Sequence, residues 1–232
     1  MRLRKKKNHD LRMTAVTSVL IPTPNDELDF RLGKTEHLID MKELFGNRNP
    51  VRVEVGCGRG GFVAEAARRE PDVNFIAVER SEGVALSACE AILAEELSNV
   101  RVMICRAEYL ERYIAPASVE RIYLNFSCPY PKKRQALHRL THPRFLDIYR
   151  RLLAVGGELH QKTDDRALFA FSVESLSAEG FTLKNVSLDL HADGMEDNIE
   201  TEYEKKFSAL GKPIYRLEAY IKKDEGKNND KF

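Results

Sequence analysis

The chain has 232 residues, of which 43% are hydrophobic and 31% charged, with a formal net charge of +1. That length supports one sizeable α/β domain, and the near-neutral balance means that any nucleic-acid footprint must be local. No apolar run reaches the length of a membrane span, the N-terminus has no signal-like apolar region, and Cys57, Cys89, Cys105 and Cys128 form no C-x-x-C pair. These features predict a cytoplasmic protein with no membrane partner, no zinc or other metal site and no disulfide framework.

Residues 1–10 carry Arg2, Arg4, Lys5, Lys6 and Lys7 with almost no apolar content. They read as a basic arm, either solvated or bound to a polyanion. The expected division is an arm and lead-in segment over 1–49, a main domain over 50–223 and a polar tail over 224–232. Within the main domain, strands are predicted over 51–55, 74–78, 100–105 and 119–126. Helices are predicted over 60–69 and 82–97. Thr141 is a candidate cap for a helix running to Leu153, with Pro143 in its first turn. Gly156 and Gly157 are expected to separate that helix from a strand over 158–162. Asp164 or Asp165 caps the next helix, which ends near Gly180. Two last strands, 182–190 and 213–221, flank a helical piece over 200–210. The alternation predicts a Rossmann-like, mostly parallel seven-stranded sheet with helices on both faces and an antiparallel hairpin at one edge. Ligands in such sheets bind at the carboxyl ends of the strands near the switch point.

The first strand ends in Glu54-Val55-Gly56-Cys57-Gly58-Arg59-Gly60-Gly61. Gly56, Gly58 and Gly61 fit G-x-G-x-x-G, and Glu79 follows about 20 residues on, where a ribose-binding acid belongs. Alone, this loop fits a nicotinamide dinucleotide as well as S-adenosylmethionine. Glu54 favours the methyl donor, because a carboxylate at the strand end suits a sulfonium and an amino group but repels a pyrophosphate. The alternative is that Glu54 merely finishes a strand.

Further on, an apolar run meets Pro129 and Pro131 in the stretch NFSCPYPKKRQALHRL, residues 125–140. Proline removes a ladder donor, so the chain leaves the sheet there. It leaves carrying Lys132, Lys133, Arg134, His138 and Arg139, a cationic loop suited to phosphates together with Arg144 and the arm. A solvated charged face is the competing reading. His138, His142 and His160 have no ligand spacing and read as surface or core residues.

These blocks, with GGELHQKTDD and NIETEYEKKFSALGKPIYRLE, resemble the bacterial tRNA (guanine-N7-)-methyltransferase family, the TrmB type, over roughly residues 50–220. The resemblance implies a class I methyltransferase that moves a methyl group from S-adenosylmethionine to N7 of a guanine in the tRNA variable loop, as a monomer or homodimer. It implies cofactor contacts at Glu54, Gly56, Gly58, Glu79, Arg106, Ala107 and Cys128. Substrate contacts are implied at Lys132, Asp164 and the tetrad Thr201, Glu202, Tyr203 and Glu204. Two departures stand out. Arg106 falls where the family usually has Asp or Asn near the adenine, which leaves the backbone around Ala107 as the alternative contact. Cys128 replaces the family's usual catalytic aspartate, with Tyr130 for a tryptophan and Gln135 for a histidine.

Guanine N7 carries a free lone pair at neutral pH, so no base has to deprotonate it, and in-line placement is worth up to roughly 7–11 kcal/mol. Cys128 is then tolerable without a covalent role. Glu202 or Glu204 is expected to accept from N1–H and N2–H₂ of guanine, unless Thr201 and Glu204 form only a capping box. Two rivals remain open: a methyltransferase acting on an exocyclic amino group, echoed by Ser127-Cys128-Pro129-Tyr130, and a tRNA-binding module without activity.

Overall fold

The structure, a computed structural model, describes residues 8–23, 37–195 and 198–222. The basic residues of 2–7 and the tail 224–232 lie outside the described residues. In chain order the elements are α1 (His9–Ala15), β1 (Leu20–Ile21), α2 (Met41–Phe45), β2 (Val51–Val55), α3 (Gly61–Arg69), β3 (Asn74–Glu79), α4 (Glu82–Ala94) and β4 (Val100–Ile104). Then come a 3₁₀ turn (Ala107–Arg112), β5 (Val119–Asn125), a second 3₁₀ turn (Lys133–His138), α5 (Pro143–Leu152), β6 (Leu153–Thr163), α6 (Arg166–Ala178), β7 (Thr182–Ser187), α7 (Glu202–Ser208) and β8 (Tyr215–Tyr220).

The described strands form one sheet in the order β1-β4-β3-β2-β5-β6-β8-β7. Only β8 runs antiparallel, to β6 on one side and β7 on the other. The expected fold is therefore present, with eight strands in place of seven. The additional strand, β1, has two residues and pairs Leu20 and Ile21 with Val102 and Met103. Two residues carry no periodicity, so this edge was not legible. Ahead of it, α1 is tied to α4 by Arg12, whose guanidinium donates twice to Glu90 at 2.6 Å.

β6 starts five residues earlier than expected, and the two glycines lie inside it. A Cβ on Gly157 would stand 3.0 Å from the Val119 carbonyl oxygen and 3.1 Å from that of Glu120. These glycines therefore mark a register shift against β5, where two backbones approach closely. α5 opens on Pro143 as expected, but its cap is His142, whose ring nitrogen accepts from the Arg144 amide at 3.3 Å. The Thr141 hydroxyl instead bonds Ser172 at 2.8 Å. Asp165 rather than Asp164 caps α6, accepting from the Leu168 amide at 2.7 Å.

Each sheet face has its own core. Val53, Val55, Ile76, Ile122, Leu124 and Leu159 pack under α5 and α6, with Phe145, Tyr149, Phe169 and Leu176. On the other face Phe75, Ala77, Val100, Val102 and Tyr123 pack with residues of α3 and α4. Burial on both faces explains why β2, β3 and β5 read as near-continuous apolar runs. Toward β6 and β8 the second face turns charged and lines a cavity of about 680 Å³. There Glu158, His160 and Glu218 bring ligand-type atoms within 4.8 Å of one another. Spacing along the chain could not reveal this group, because it converges across two strands. Its carboxylates are matched by Lys184, Arg121, Arg216 and Asn185, so the charge is already balanced without an ion.

Candidate active site at the strand ends

Strand order reverses between β2 and β5, and Glu54, next to last in β2, and Asn125, last in β5, lie at the carboxyl ends of those two strands. Glu54 is 2% exposed. One oxygen, Oε1, accepts from the Asn125 amide at 3.0 Å, while Oε2 is buried with no partner. Burial pushes this carboxyl up to about 7, against the pull of Asn125, the Lys162 ammonium and the Val63 amide. A buried carboxylate oxygen without a partner is costly alone and suits an incoming cation.

The turn after Glu54 brings backbone, not side chains, to the cavity. Gly56 and Gly58 have φ of +86° and +59°, and a Cβ on either would point into open space. That left-handed backbone explains the glycines, and the open space leaves room for a ligand. Glu79 closes β3 with its carboxylate set by two amides, from Gly58 at 3.3 Å and Ser81 at 2.8 Å.

The 125–140 loop leaves β5 under strain, as Phe126 and Tyr130 have φ of +49° and +44°. The Phe126 amide donates to the Lys162 carbonyl at 2.8 Å. Arg139 donates to the carbonyls of Pro129 and Tyr130, both at 3.1 Å. Arg139 is thus spent on holding the loop, which corrects its expected place in a phosphate grip. Arg144 is likewise paired, with Glu108 at 3.0 Å. Lys132, Lys133 and Arg134 are exposed and have no partner among the described residues.

Two adjoining cavities collect most of the expected residues. One, of about 260 Å³, is lined by Gly56, Glu79, Arg106, Ala107, Phe126, Cys128 and Tyr130. The Arg106 guanidinium there donates to Glu108 at 3.1 Å, and Cys128 is an exposed free thiol. The other, of about 480 Å³, is lined by Glu54, Gly56, Gly58, Asn125, Phe126, Thr201, Glu202 and Tyr203. Tyr203 is 61% exposed and stacks on Phe126 with ring centroids 6.3 Å apart. Lys132 and Asp164 line neither cavity, and Asp164 lies 3.8 Å from the Lys212 ammonium.

Glu204 differs from its expected alternatives. Thr201 does cap α7, accepting from the Glu204 amide at 2.9 Å. The Glu204 carboxylate is fully buried, accepting from Lys162 at 2.6 Å and also from Asn198. Its oxygens are engaged, so Glu202 is the acid of the tetrad that faces the cavity. Asn125 and Lys162 are site residues that sequence reasoning missed, and Arg139 was assigned the wrong role. The signal for Asn125 was a polar residue closing a largely apolar strand, whereas Lys162, within the polar end of β6, carried no such signal.

A mostly parallel sheet with a glycine loop at its switch point and an acid at the end of each of two adjacent strands defines a Rossmann-like methyltransferase fold. Solved structures share it at low identity. An antibiotic-related methyltransferase superposes with a TM-score of 0.57 at 16% identity, covering 86% of this chain and 94% of its own. The aminoglycoside resistance methyltransferase NpmB1 gives 0.56 at 19%, covering 87% and 95%. A family described as "Putative methyltransferase" matches residues 48–217. Curated relatives named tRNA (guanine-N(7)-)-methyltransferase include one from Geobacillus kaustophilus (strain HTA426), 44% identical over 94% of this chain and 96% of its own. Another, from Lysinibacillus sphaericus (strain C3-41), is 44% identical over 94% and 97%. A third, from Listeria innocua serovar 6a, is 47% identical over 79% and 86%. The chain belongs to the tRNA (guanine-N7-)-methyltransferase family.

Proposed function

We infer that the chain transfers a methyl group from S-adenosylmethionine to N7 of a guanine in the variable loop of tRNA. The observation that carries the donor assignment is the buried, unpartnered Oε2 of Glu54 beside an open glycine turn. When bound, the donor supplies a methyl group made electrophilic by its sulfonium. Glu54 accepts from the donor's amino group, and Glu79, already oriented by two amides, accepts from the ribose hydroxyls. Gly56, Gly58 and the backbone at Ala107 complete that wall, with Arg106 held to one side by Glu108.

Glu202 accepts from the N1–H and N2–H₂ edge of guanine, which leaves N7 directed at the donor. Tyr203 and Thr201 support that edge. Lys132, with Lys133 and Arg134, meets phosphates, and Asp164 contacts the substrate from the end of β6. Cys128 stands on the cavity wall as a positioning group, because a lone-pair nucleophile needs neither a general base nor a covalent intermediate. The test supplies isotopically labelled donor and unmodified tRNA and identifies the product nucleoside. N7-methylguanosine is expected; a methylated exocyclic amine, or binding with no product, overturns the assignment.

A further inference from the structure

Lys162 joins the two walls of the site. Its backbone lies beside Asn125, the residue that holds Glu54, in the β5–β6 register. Its side chain is 7% exposed. Its ammonium donates to three acceptors in one segment: Glu204 Oε2 at 2.6 Å, the Ile199 carbonyl at 2.7 Å and Asn198 Oδ1 at 3.0 Å. Beyond the ammonium, Glu204 meets Asn198 and the His191 ring, the latter at 3.3 Å. Residues 198–200 belong to no helix or strand, so their placement depends on such contacts.

A buried lysine–carboxylate pair is weak evidence for stability, since desolvation offsets its attraction. The location of this pair gives it another use. The same ammonium lies near Phe62, 5.7 Å from the ring centroid, and acts electrostatically on Glu54. We propose that Lys162 is a positioning residue that couples the donor pocket to the tRNA-facing tetrad, fixing 198–204 against the strand that flanks Asn125, the partner of Glu54. This rests on the function assigned above.

The groups that face Glu54 are Asn125 from β5, the Val63 amide from α3, Lys162 from β6, Glu79 from β3 and the Cys57 thiol. Lys162 itself faces Glu204, Glu54 and Arg216. Among these, Lys162 is the cation acting on Glu54, so its removal makes that carboxyl harder to ionise.

The test compares wild type with Lys162→Met/Glu204→Met, which removes both charges at similar volume and so avoids a stranded buried charge. Affinity for S-adenosylmethionine is measured against pH without tRNA. The midpoint of the profile is expected to rise by about one pH unit. The KM for tRNA is expected to rise about tenfold or more, with kcat changed less. Lys162→Arg keeps the charge but not the compact three-donor head, so it keeps the wild-type midpoint while the KM for tRNA stays raised. A double variant with either the wild-type midpoint or the wild-type KM overturns the coupling, as does an arginine variant whose midpoint moves as far as that of the double. Hydrogen exchange over 198–204 reads the fixing role without any reaction. Faster exchange in the double variant is expected, and unchanged exchange overturns that role. Wild type that binds no donor, or makes no N7-methylguanosine, sinks the assigned function instead.

Discussion

On the glycine-loop side of the site, Glu54 is buried and Glu79 is clamped by two amides, so both carboxylates are placed before any ligand arrives. On the rim, Lys132, Lys133, Arg134 and Glu202 stand exposed, with no partner among the described residues. The difference follows from the two ligands assigned. A small cationic donor is recognised by desolvated, pre-oriented groups, whose interactions strengthen as water leaves. A tRNA backbone is met by solvated cations that release counterions, where reach matters more than burial.

The largest expected effect breaks the buried wall. Glu54→Gln keeps the shape and the bond to Asn125 but removes the charge. Loss of one partner from a buried charge pair costs about 3–5 kcal/mol. Donor affinity by calorimetry should therefore fall roughly 150- to 5000-fold. The folded protein should persist, because the free form carries that carboxylate at a cost. An unchanged affinity would remove Glu54 from the donor site.

The same residue gives a pH signature. Burial raises the Glu54 carboxyl to about 7 from an unfolded value of 4.5, so the folded state binds more protons between those limits. Its contribution to stability therefore falls as pH rises from 4.5 to 7 and is level above, by roughly 3 kcal/mol in all. His160 opposes this. Burial beside Arg121 lowers it to about 4, so its contribution rises as pH climbs from 4 toward 6.5. The net melting curve conceals both, but the difference between wild type and Glu54→Gln isolates the first. Donor binding, which needs the ionised form, should weaken about tenfold per pH unit below 7 in wild type and much less in the variant.

The rim is sharpened by its salt dependence. Lys132→Ala/Lys133→Ala/Arg134→Ala removes three cations that have no partner among the described residues. The slope of log affinity for tRNA against log salt should become shallower by about two to three units, while donor affinity stays within twofold. If the donor arm moves as well, the two walls are not separable in this way.

How much of this was legible in the sequence divides along the same line. The sheet, its parallel core and its antiparallel edge followed from apolar runs and their spacing. So did the glycine turn, because a tight turn at a strand end leaves glycines at fixed offsets. Contacts made where the chain folds back on itself were not legible. Arg139 reads as one more cation in a basic run, yet it holds the Pro129 and Tyr130 carbonyls. Glu204 reads as half of a capping box or as a guanine reader, yet its carboxylate meets Lys162, 42 residues away in the chain. Local pattern reports local structure, whereas these roles depend on how a loop closes on itself and on which segments lie side by side.

The smallest expected effect concerns Cys128, which belongs to neither wall by chemistry. It lines the donor-side cavity with Glu79 and Ala107, but it is exposed on the loop that carries the rim cations. A thiol accepts hydrogen bonds weakly, whereas a carboxylate there would accept strongly from groups on donor or base. Because N7 needs no deprotonation, the gain is confined to positioning and charge. Cys128→Asp should raise kcat by roughly three- to tenfold, about 0.6–1.4 kcal/mol, the scale of one ordinary hydrogen bond. A rise of several orders of magnitude would mean that the position supplies chemistry, not placement. No rise at all would show that the thiol already serves, and that the loop's strained backbone rather than this side chain sets the alignment.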